Sequence, residues 1–241
     1  MYFEKIKKFI TKTIPWMLLT SKCRYCNELV EGGETLCEQC KKNLPVIKGE
    51  KCRFCGAEKT RCNCKKHKLG FEEITAPFYY ENGIKTCIQQ MKFNGKEFMA
   101  YNLARDMADS VKKDFGNVKF DFICFVPFTM SQKIRRTYNQ SELLAENLST
   151  MLKIPLKKVM VKLFDTNSQH KMDYGHRKGN IFGAYDVKND VDLHGKTILL
   201  VDDVKTSGAT LDDCAWILKI RGAEKVYCVV AAIAGSKKKD K

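Results

Sequence analysis

Long apolar runs are missing from the sequence. No segment approaches the roughly 20 apolar residues that a membrane-spanning helix needs, which excludes a membrane-spanning protein. The apolar run at 14–19 is too short for a secretory signal, and no small-residue cleavage site follows it. We therefore expect a soluble protein of the reducing cytoplasm, a compartment in which disulfides are rare.

Acidic residues are also in short supply, with 28 Asp and Glu against 43 Lys and Arg and a formal net charge of +15. This excess favours polyanionic partners. The sequence nevertheless lacks a basic motif interleaved with aromatic residues, so nucleic-acid contact and a merely solvated basic surface both stay open. Internal repeats are absent from the second part of the chain, and the only low-complexity tract is the lysine-rich tail at 236–241.

Cysteine, in contrast, is abundant, and the 12 cysteines fall into two classes. Four are scattered singly through apolar stretches and suit core thiols: Cys87, Cys124, Cys214 and Cys228. The other eight form close pairs: Cys23 with Cys26, Cys37 with Cys40, Cys52 with Cys55, and Cys62 with Cys64. Such pairs are typical of zinc knuckles, and four thiolates close the metal's tetrahedral shell, so one or two structural zinc ions are predicted.

The second zinc site is less well defined by its spacing. Only one residue separates Cys62 from Cys64, so His67 could replace Cys64, and crossed pairing of the four knuckles is also open. Eight thiolates with two zinc ions would lower the net charge by about 4, leaving about +11. The segment contains little apolar material, so we expect its stability to depend on metal.

A domain boundary is predicted near residue 70, where the paired cysteines end and a β-like segment begins at 74–80. The expected domains are 1–70, an amphipathic N-terminal helix with a double zinc ribbon, and 71–241. In the second domain, helical periodicity at 84–91, 97–113, 139–152 and 209–221 alternates with apolar runs at 121–126, 158–163, 197–202 and 225–233. This alternation predicts an α/β fold, a mostly parallel sheet flanked by helices.

The strongest functional signal follows the apolar run at 198–201, which ends in Asp202 and Asp203. Two adjacent carboxylates at a strand's end can accept hydrogen bonds from both hydroxyls of a ribose and stay close to a Mg²⁺ ion. The next residues, at 205–210, are rich in hydroxyls, contain one glycine and open a helix, as a phosphate cradle requires. A plain helix cap is the structural alternative, but strand, acidic pair, loop and helix occur in the order of a sugar-phosphate site.

The segment from Val201 to Thr210 resembles the phosphoribosyl-pyrophosphate signature of type I phosphoribosyltransferases. Nearly the whole chain resembles the ComF family, whose members pair that domain with an N-terminal double zinc ribbon. The resemblance implies that 5-phosphoribosyl-1-pyrophosphate binds with Mg²⁺ at Asp202, Asp203, Lys205, Thr206, Ser207, Gly208, Ala209 and Thr210. It also implies an association with natural competence, transformation and DNA uptake.

Three further segments agree with this family. The stretch at 131–140 resembles its Arg-Gly-Phe-Asn-Gln element, which implies that Arg135 and Arg136 face the pyrophosphate, although Thr137 stands where the family has glycine. Lys92 resembles a lysine on a mobile loop that reaches the pyrophosphate, the alternative being a helix C-cap. A third segment is polar and matches a family pattern at Thr166, Gln169, Arg177 and Asn180. The match implies that the segment covers the substrate as a hood, although it could equally form structural turns.

The resemblance implies a glycosyltransferase of the phosphoribosyltransferase type, in which a nucleophile attacks C1′ as pyrophosphate leaves. Asp202, Asp203 and Lys92 would position the sugar and its leaving group. The acceptor is unassigned, and Thr206 replaces an acidic residue that is common in purine-salvage enzymes. The rival interpretations are a non-catalytic module that binds a nucleotide or single-stranded DNA, and a ribbon that docks onto DNA-uptake proteins.

Overall fold

The computed structural model describes residues 21–30, 34–62, 64, 69–93, 97–128, 138–163 and 184–234. The strands are β1 (Ser21–Lys22), β2 (Leu29–Val30), β3 (Ile74–Thr75), β4 (Phe78–Tyr79), β5 (Phe122–Phe125), β6 (Met160–Lys162), β7 (Tyr185–Val187), β8 (Thr197–Lys205) and β9 (Lys225–Ile233). The helices are α1 (Glu38–Asn43), α2 (Asn82–Phe93), α3 (Phe98–Asp114), α4 (Gln140–Leu152) and α5 (Ala209–Ile220), with a 3₁₀ turn at Lys59–Arg61.

A five-stranded sheet lies at the centre of the described structure. Its strand order is β3, β9, β8, β5, and β4 also pairs with β9. Every pairing in this sheet is parallel. Residues 198–201 of β8 and nearly all of β9 are apolar, as in strands whose two faces are both covered by helices.

Alternate residues of β8 point to opposite faces of the sheet. Ile198 and Leu200 pack into one apolar cluster, and Leu199 and Val201 pack into another. Helix α5 contributes its apolar side chains to the first cluster, whereas α2, α3 and α4 contribute to the second. Both faces of β8 are therefore covered by apolar side chains up to its carboxyl end, where the first charged residues of the strand appear.

The cysteine-rich part packs directly on this sheet. Val46 forms an antiparallel bridge with Phe78, and the amide of Ile47 donates to the carbonyl oxygen of Pro77 at 2.9 Å. Cys23 and Cys40 belong to the second apolar cluster, and Cys55 packs against the first. The division at residue 70 stays a prediction, and the parts on either side of it share their apolar cores.

The predicted α/β fold with a mostly parallel sheet is confirmed, and the four predicted helices appear as α2 to α5. Two strand predictions need refinement. The segment at 74–80 forms two short strands with Pro77 between them. The run at 158–163 contributes β6, which lies outside the main sheet and pairs with β7 in an antiparallel ladder. In the part of the chain that the structure describes, no helix has the length and apolarity to cross a bilayer.

Candidate functional site

The acidic pair lies at the carboxyl end of β8, the edge at which parallel sheets usually bind ligands. The side chain of Asp202 accepts a hydrogen bond from the hydroxyl of Ser141 on α4 at 2.8 Å and one from the amide of Asp203 at 2.8 Å. Burial raises the pKa of the Asp202 carboxyl to about 7, with the charge of Asp203 as the second cause. The hydrogen bond from Ser141 and the charge of Lys92 act in the opposite direction. Asp202 is therefore a fixed acceptor with an unusually high proton affinity.

Asp203 forms an ion pair across the site. Its Oδ2 atom lies 2.7 Å from Nζ of Lys92, in the last turn of α2, and both side chains are largely buried. Charge-assisted hydrogen bonds of this length are among the stronger polar contacts in proteins. The structure thus brings together Lys92 and the acidic pair, three residues that the sequence could only propose separately.

The loop after β8 is the segment for which a phosphate cradle is predicted. Gly208 has φ = +90° and is the N-cap of α5. A side chain at this position would place its Cβ 3.0 Å from Cε of Lys205, which lies buried beneath it. Thr206, Ser207, Ala209 and Thr210 are exposed. The predicted cradle is therefore open to solvent. The first amides of α5 have no partner within the helix, and that of Ala209 donates to the hydroxyl oxygen of Ser207 at 3.3 Å.

Two residues of this site escaped the sequence analysis. Ser141 lies 61 residues from Asp202 in the chain, and the buried Tyr185 of β7 forms a side-chain hydrogen bond with Thr210. Burial raises the pKa of the Tyr185 phenol, which therefore stays protonated. No local motif marks either residue. The sequence offers only weak signals: Ser141 lies in the first turn of a predicted helix, and Tyr185 carries a polar hydroxyl in a short strand.

The turn before α4 is held by its own side chains. Asn139 caps the helix by accepting from the amide of Ser141 at 3.0 Å, and its side-chain amide donates to the carbonyl oxygen of Val126 at 3.0 Å. Gln140 donates to the carbonyl oxygen of Tyr138 at 3.3 Å. The hydroxyl of Tyr138 donates to the carbonyl oxygen of Met91. These bonds fix the turn and tie it to the end of α2.

A cavity of about 440 Å³ lies beside this turn. Its lining includes Pro127, Phe128 and Tyr138 together with three carboxylate residues, Glu97, Glu142 and Glu146. None of the predicted sugar-phosphate ligands belongs to the lining. Three carboxylates disfavour a phosphate, so the cavity is a poorer anion site than the start of α5.

Several residues named in the sequence predictions lie outside the described residues: His67, Arg135, Arg136, Thr137, Thr166, Gln169, Arg177 and Asn180. The amphipathic helix predicted near the N-terminus and the lysine-rich tail also lie outside them. The pyrophosphate role of the two arginines and the hood over the substrate remain predictions. The strands β6 and β7, between which the hood pattern falls in sequence, are described and paired.

The paired cysteines form two separate groups of four. Cluster one contains Cys23, Cys26, Cys37 and Cys40, and cluster two contains Cys52, Cys55, Cys62 and Cys64. Within each cluster, all Sγ atoms lie within 4.8 Å of one another. Zinc–sulfur bonds of about 2.3 Å in a tetrahedron require sulfur atoms about 3.8 Å apart, so both clusters fit a zinc ion. Consecutive knuckles pair, and Cys64 itself completes cluster two.

The first knuckles of the two clusters have the same backbone conformation. The amide of Cys23 donates to the carbonyl oxygen of Glu28 at 2.7 Å, and that of Cys52 donates to Ala57 at 2.7 Å. Each knuckle ends in a left-handed residue directly after its second cysteine, Asn27 with φ = +66° and Gly56 with φ = +74°. The two segments share the pattern Cys-Arg-aromatic-Cys, at 23–26 and at 52–55, and they form equivalent turns around their thiols.

Comparison with known proteins agrees with this architecture. The phosphoribosyl transferase domain family matches residues 126–241. Competence protein F of Haemophilus influenzae is 28% identical over 220 residues, which cover 85% of this chain and 93% of that protein. DNA utilization protein YhgH of Escherichia coli is 27% identical over 213 residues, or 86% and 88% of the two chains. Competence protein ComFC of Bacillus subtilis is 24% identical over 204 residues, or 80% and 82%. These similarities support the resemblance to the ComF family, and the second part of the chain has a type I phosphoribosyltransferase fold.

Proposed function

We propose that this protein binds 5-phosphoribosyl-1-pyrophosphate together with Mg²⁺ at the carboxyl end of β8. The observation that carries the proposal is the meeting of three groups at one edge of the sheet. These are the acidic pair Asp202 and Asp203, the ion pair of Asp203 with Lys92 at 2.7 Å, and the exposed start of α5 after Gly208. A sugar with an anion at each end and a diol between them matches this arrangement.

Each group has a distinct partner on the ligand. The 5′-phosphate would accept hydrogen bonds from the first amides of α5 and from the hydroxyls of Thr206, Ser207 and Thr210. The two ribose hydroxyls would donate to Asp202 and Asp203, which Ser141 and Lys92 hold in place. Bound Mg²⁺ would be held by the ribose hydroxyls and pyrophosphate oxygens near the two carboxylates, and it would offset the charge of the leaving group.

Lys92 has a second function in this proposal. In the ligand-free protein the ammonium group of Lys92 forms an ion pair with Asp203. When a ribose hydroxyl binds to Asp203, the ammonium group can bind a pyrophosphate oxygen instead. Arg135 and Arg136 would add positive charge around the same leaving group. In a transfer reaction the acceptor attacks C1′ as the bond to pyrophosphate breaks, and the protein contributes position and charge rather than covalent chemistry.

We place this activity in competence and DNA uptake. The relatives that support this are named for competence and for DNA utilization and match the chain over most of its length. A second candidate, binding of single-stranded DNA or a nucleotide without turnover, is favoured by the same names and by the net charge of +15. We also propose that the two cysteine clusters hold structural zinc ions.

Isothermal titration of the protein with 5-phosphoribosyl-1-pyrophosphate, with and without Mg²⁺, tests the proposal. Wild-type protein should bind in the presence of Mg²⁺, and the double variant Asp202→Asn/Asp203→Asn should lose binding while its circular dichroism stays unchanged. Asp192→Asn is the matched control, because Asp192 is exposed and contacts His194 away from the site. Retained affinity in the double variant would refute the site.

A second assay separates the enzyme from the binding module. Pyrophosphate release is measured for the same protein with a panel of acceptor bases. Release that depends on one base identifies a transferase, whereas binding without release supports the module. Single-stranded DNA binding that falls with salt and disappears when residues 1–70 are deleted, in a protein that still binds the sugar diphosphate, supports the DNA-binding candidate.

A further inference from the structure

Helix α2 contacts cysteine cluster one at one end and the candidate sugar site at the other. At its start, a Cβ on Gly83 would lie 2.9 Å from Sγ of Cys40, so the backbone of α2 approaches the thiol more closely than any other residue type would allow. The side-chain amide of Asn82 donates to the carbonyl oxygen of Asn43 at 3.1 Å. At its end, Lys92 forms the ion pair with Asp203.

The helix between these contacts is held as a rigid body. Ile84, Cys87, Ile88 and Met91 are fully buried on one face of α2, at the spacing of helical turns. Nine residues separate Gly83 from Lys92, a rise of about 13 Å in an α-helix. A displacement at the first turn is therefore carried to the last turn, because a packed helix shifts as a unit more readily than it bends.

Cluster one belongs to the same core as α2. Cys23, Cys40 and Tyr25 are buried in the apolar cluster that contains the helix. The Tyr25 ring packs edge-on against Phe78 at 5.6 Å between centroids. A zinc ion with four thiolates carries net negative charge, and the positive end of the α2 dipole faces it across Gly83. Loss of the ion would leave mutually repelling or protonated thiols against the first turn of α2.

We infer that α2 is a positioning element that couples metal occupancy of cluster one to the placement of Lys92, and so to sugar-diphosphate binding; the ligand in this inference rests on the proposed function. Cluster two makes a different contact. Its Gly56 packs against Ile233 at the end of β9 and against Ile74 of β3, and its Cys55 packs against the apolar cluster on the opposite face of the sheet. Its link to α2 is indirect, because Arg61, beside Cys62, pairs at 3.8 Å with Glu81, the residue before the helix. Cluster two therefore serves as the control.

The first experiment reads Lys92 directly in the ligand-free protein. Acetylation of lysines by an amine-reactive ester is followed by mass spectrometry for the wild type and for Cys26→Ser/Cys37→Ser, with zinc content measured in parallel. Lys92 should be protected in the wild type and acetylated on the order of tenfold faster in the variant. An ion pair of this kind lowers the population of the free, reactive side chain by about a factor of ten or more. The exposed Lys85 on the same helix is the internal standard, and Cys55→Ser/Cys62→Ser should leave Lys92 protected.

A glycine variant keeps every cysteine, so it tests the coupling even if the cluster-one variant misfolds. Gly83→Ala should push the first turn of α2 away from Cys40 and raise the labelling of Lys92, whereas Thr86→Ala, one turn further along on the exposed side, should not. Unchanged protection of Lys92 in both Gly83→Ala and the cluster-one variant, with one zinc equivalent lost from the latter, would overturn the coupling.

The second experiment links the coupling to the ligand by a double-mutant cycle. Lys92→Met and the cluster-one variant should each weaken binding of 5-phosphoribosyl-1-pyrophosphate with Mg²⁺ on the order of tenfold, and their combination should be no weaker than either alone. Independent, multiplying losses would show that cluster one does not act through Lys92. Failure of the wild type to bind the sugar diphosphate would refute the proposed function, and the labelling result would still decide the coupling.

Discussion

The hydroxyl of Ser141 donates to Oδ1 of Asp202 at 2.8 Å, so the first turn of α4 fixes one carboxylate at the end of β8. This bond holds one oxygen of Asp202 and leaves the other for a ligand. It also lowers the pKa of Asp202 against the larger effect of burial. Ser141 is therefore a positioning residue for the proposed ribose ligand.

Replacing Ser141 tests this relationship. Ser141→Ala should raise the pKa of Asp202 further and weaken binding of 5-phosphoribosyl-1-pyrophosphate near neutral pH on the order of tenfold to a hundredfold, because a hydrogen bond to a charged group contributes about 1.5–3 kcal/mol. Titration calorimetry at pH 7 and pH 8.5 measures the effect, which should shrink at the higher pH. Ser149→Ala on the same helix, where the hydroxyl bonds to Ile154, is the control. Equal losses at both pH values would contradict the explanation.

The raised pKa of Asp202 predicts a pH dependence of stability. Between the ordinary carboxyl pKa near 4 and the folded value of about 7, the folded protein keeps a proton that the unfolded chain has released. Folding stability should therefore fall as the pH rises through this window. Asp202→Asn should raise the melting temperature by a few degrees at pH 8 and leave it nearly unchanged at pH 4. A melting-temperature difference that does not vary with pH would contradict an elevated pKa.

Gly208 is predicted to be essential for the phosphate cradle. Gly208→Ala would place a side chain at φ = +90° and against Lys205, so we expect destabilisation of about 1 kcal/mol and loss of sugar-diphosphate binding. Gly195→Ala is a matched control, because Gly195 has φ = +67° with open space around it. Both variants should lose similar stability in urea unfolding, and only the first should lose the ligand. Normal affinity in Gly208→Ala would remove the cradle from the proposal.

Removal of zinc by a chelator should unfold the cysteine clusters first and then destabilise the rest of the protein. A strong chelator should release two zinc equivalents and deprotect the amides of residues 21–62 first, because their turns are organised around the thiols. Since Cys23, Tyr25 and Cys40 also belong to the core of the larger part, its melting temperature should fall as well. Hydrogen exchange with and without chelator checks the order of opening. A single unfolding transition that chelation does not move would contradict metal dependence.

Short stretches of sequence were enough to predict the helices, the long strands and the types of chemistry. Helices α2 to α5 were predictable because their apolar residues recur at helical spacing, and β8 and β9 because strands buried on both faces are continuously apolar. The cysteine pairs and the acidic pair before a hydroxyl-rich loop are likewise local patterns, since each places neighbouring ligands on one turn. For these features, a few consecutive residues contain all the physical information.

The folded structure shows which of these groups meet. It assigned Cys64 to cluster two and consecutive knuckles to each other, and it moved β6 out of the main sheet into a ladder with β7. It also placed Lys92 on Asp203, Ser141 on Asp202 and Cys40 against Gly83. Such partners lie from 43 to 111 positions apart, where no periodicity links them. Their contacts follow from how helices pack on a twisted sheet, and that packing is set by the whole apolar core at once rather than by any one segment.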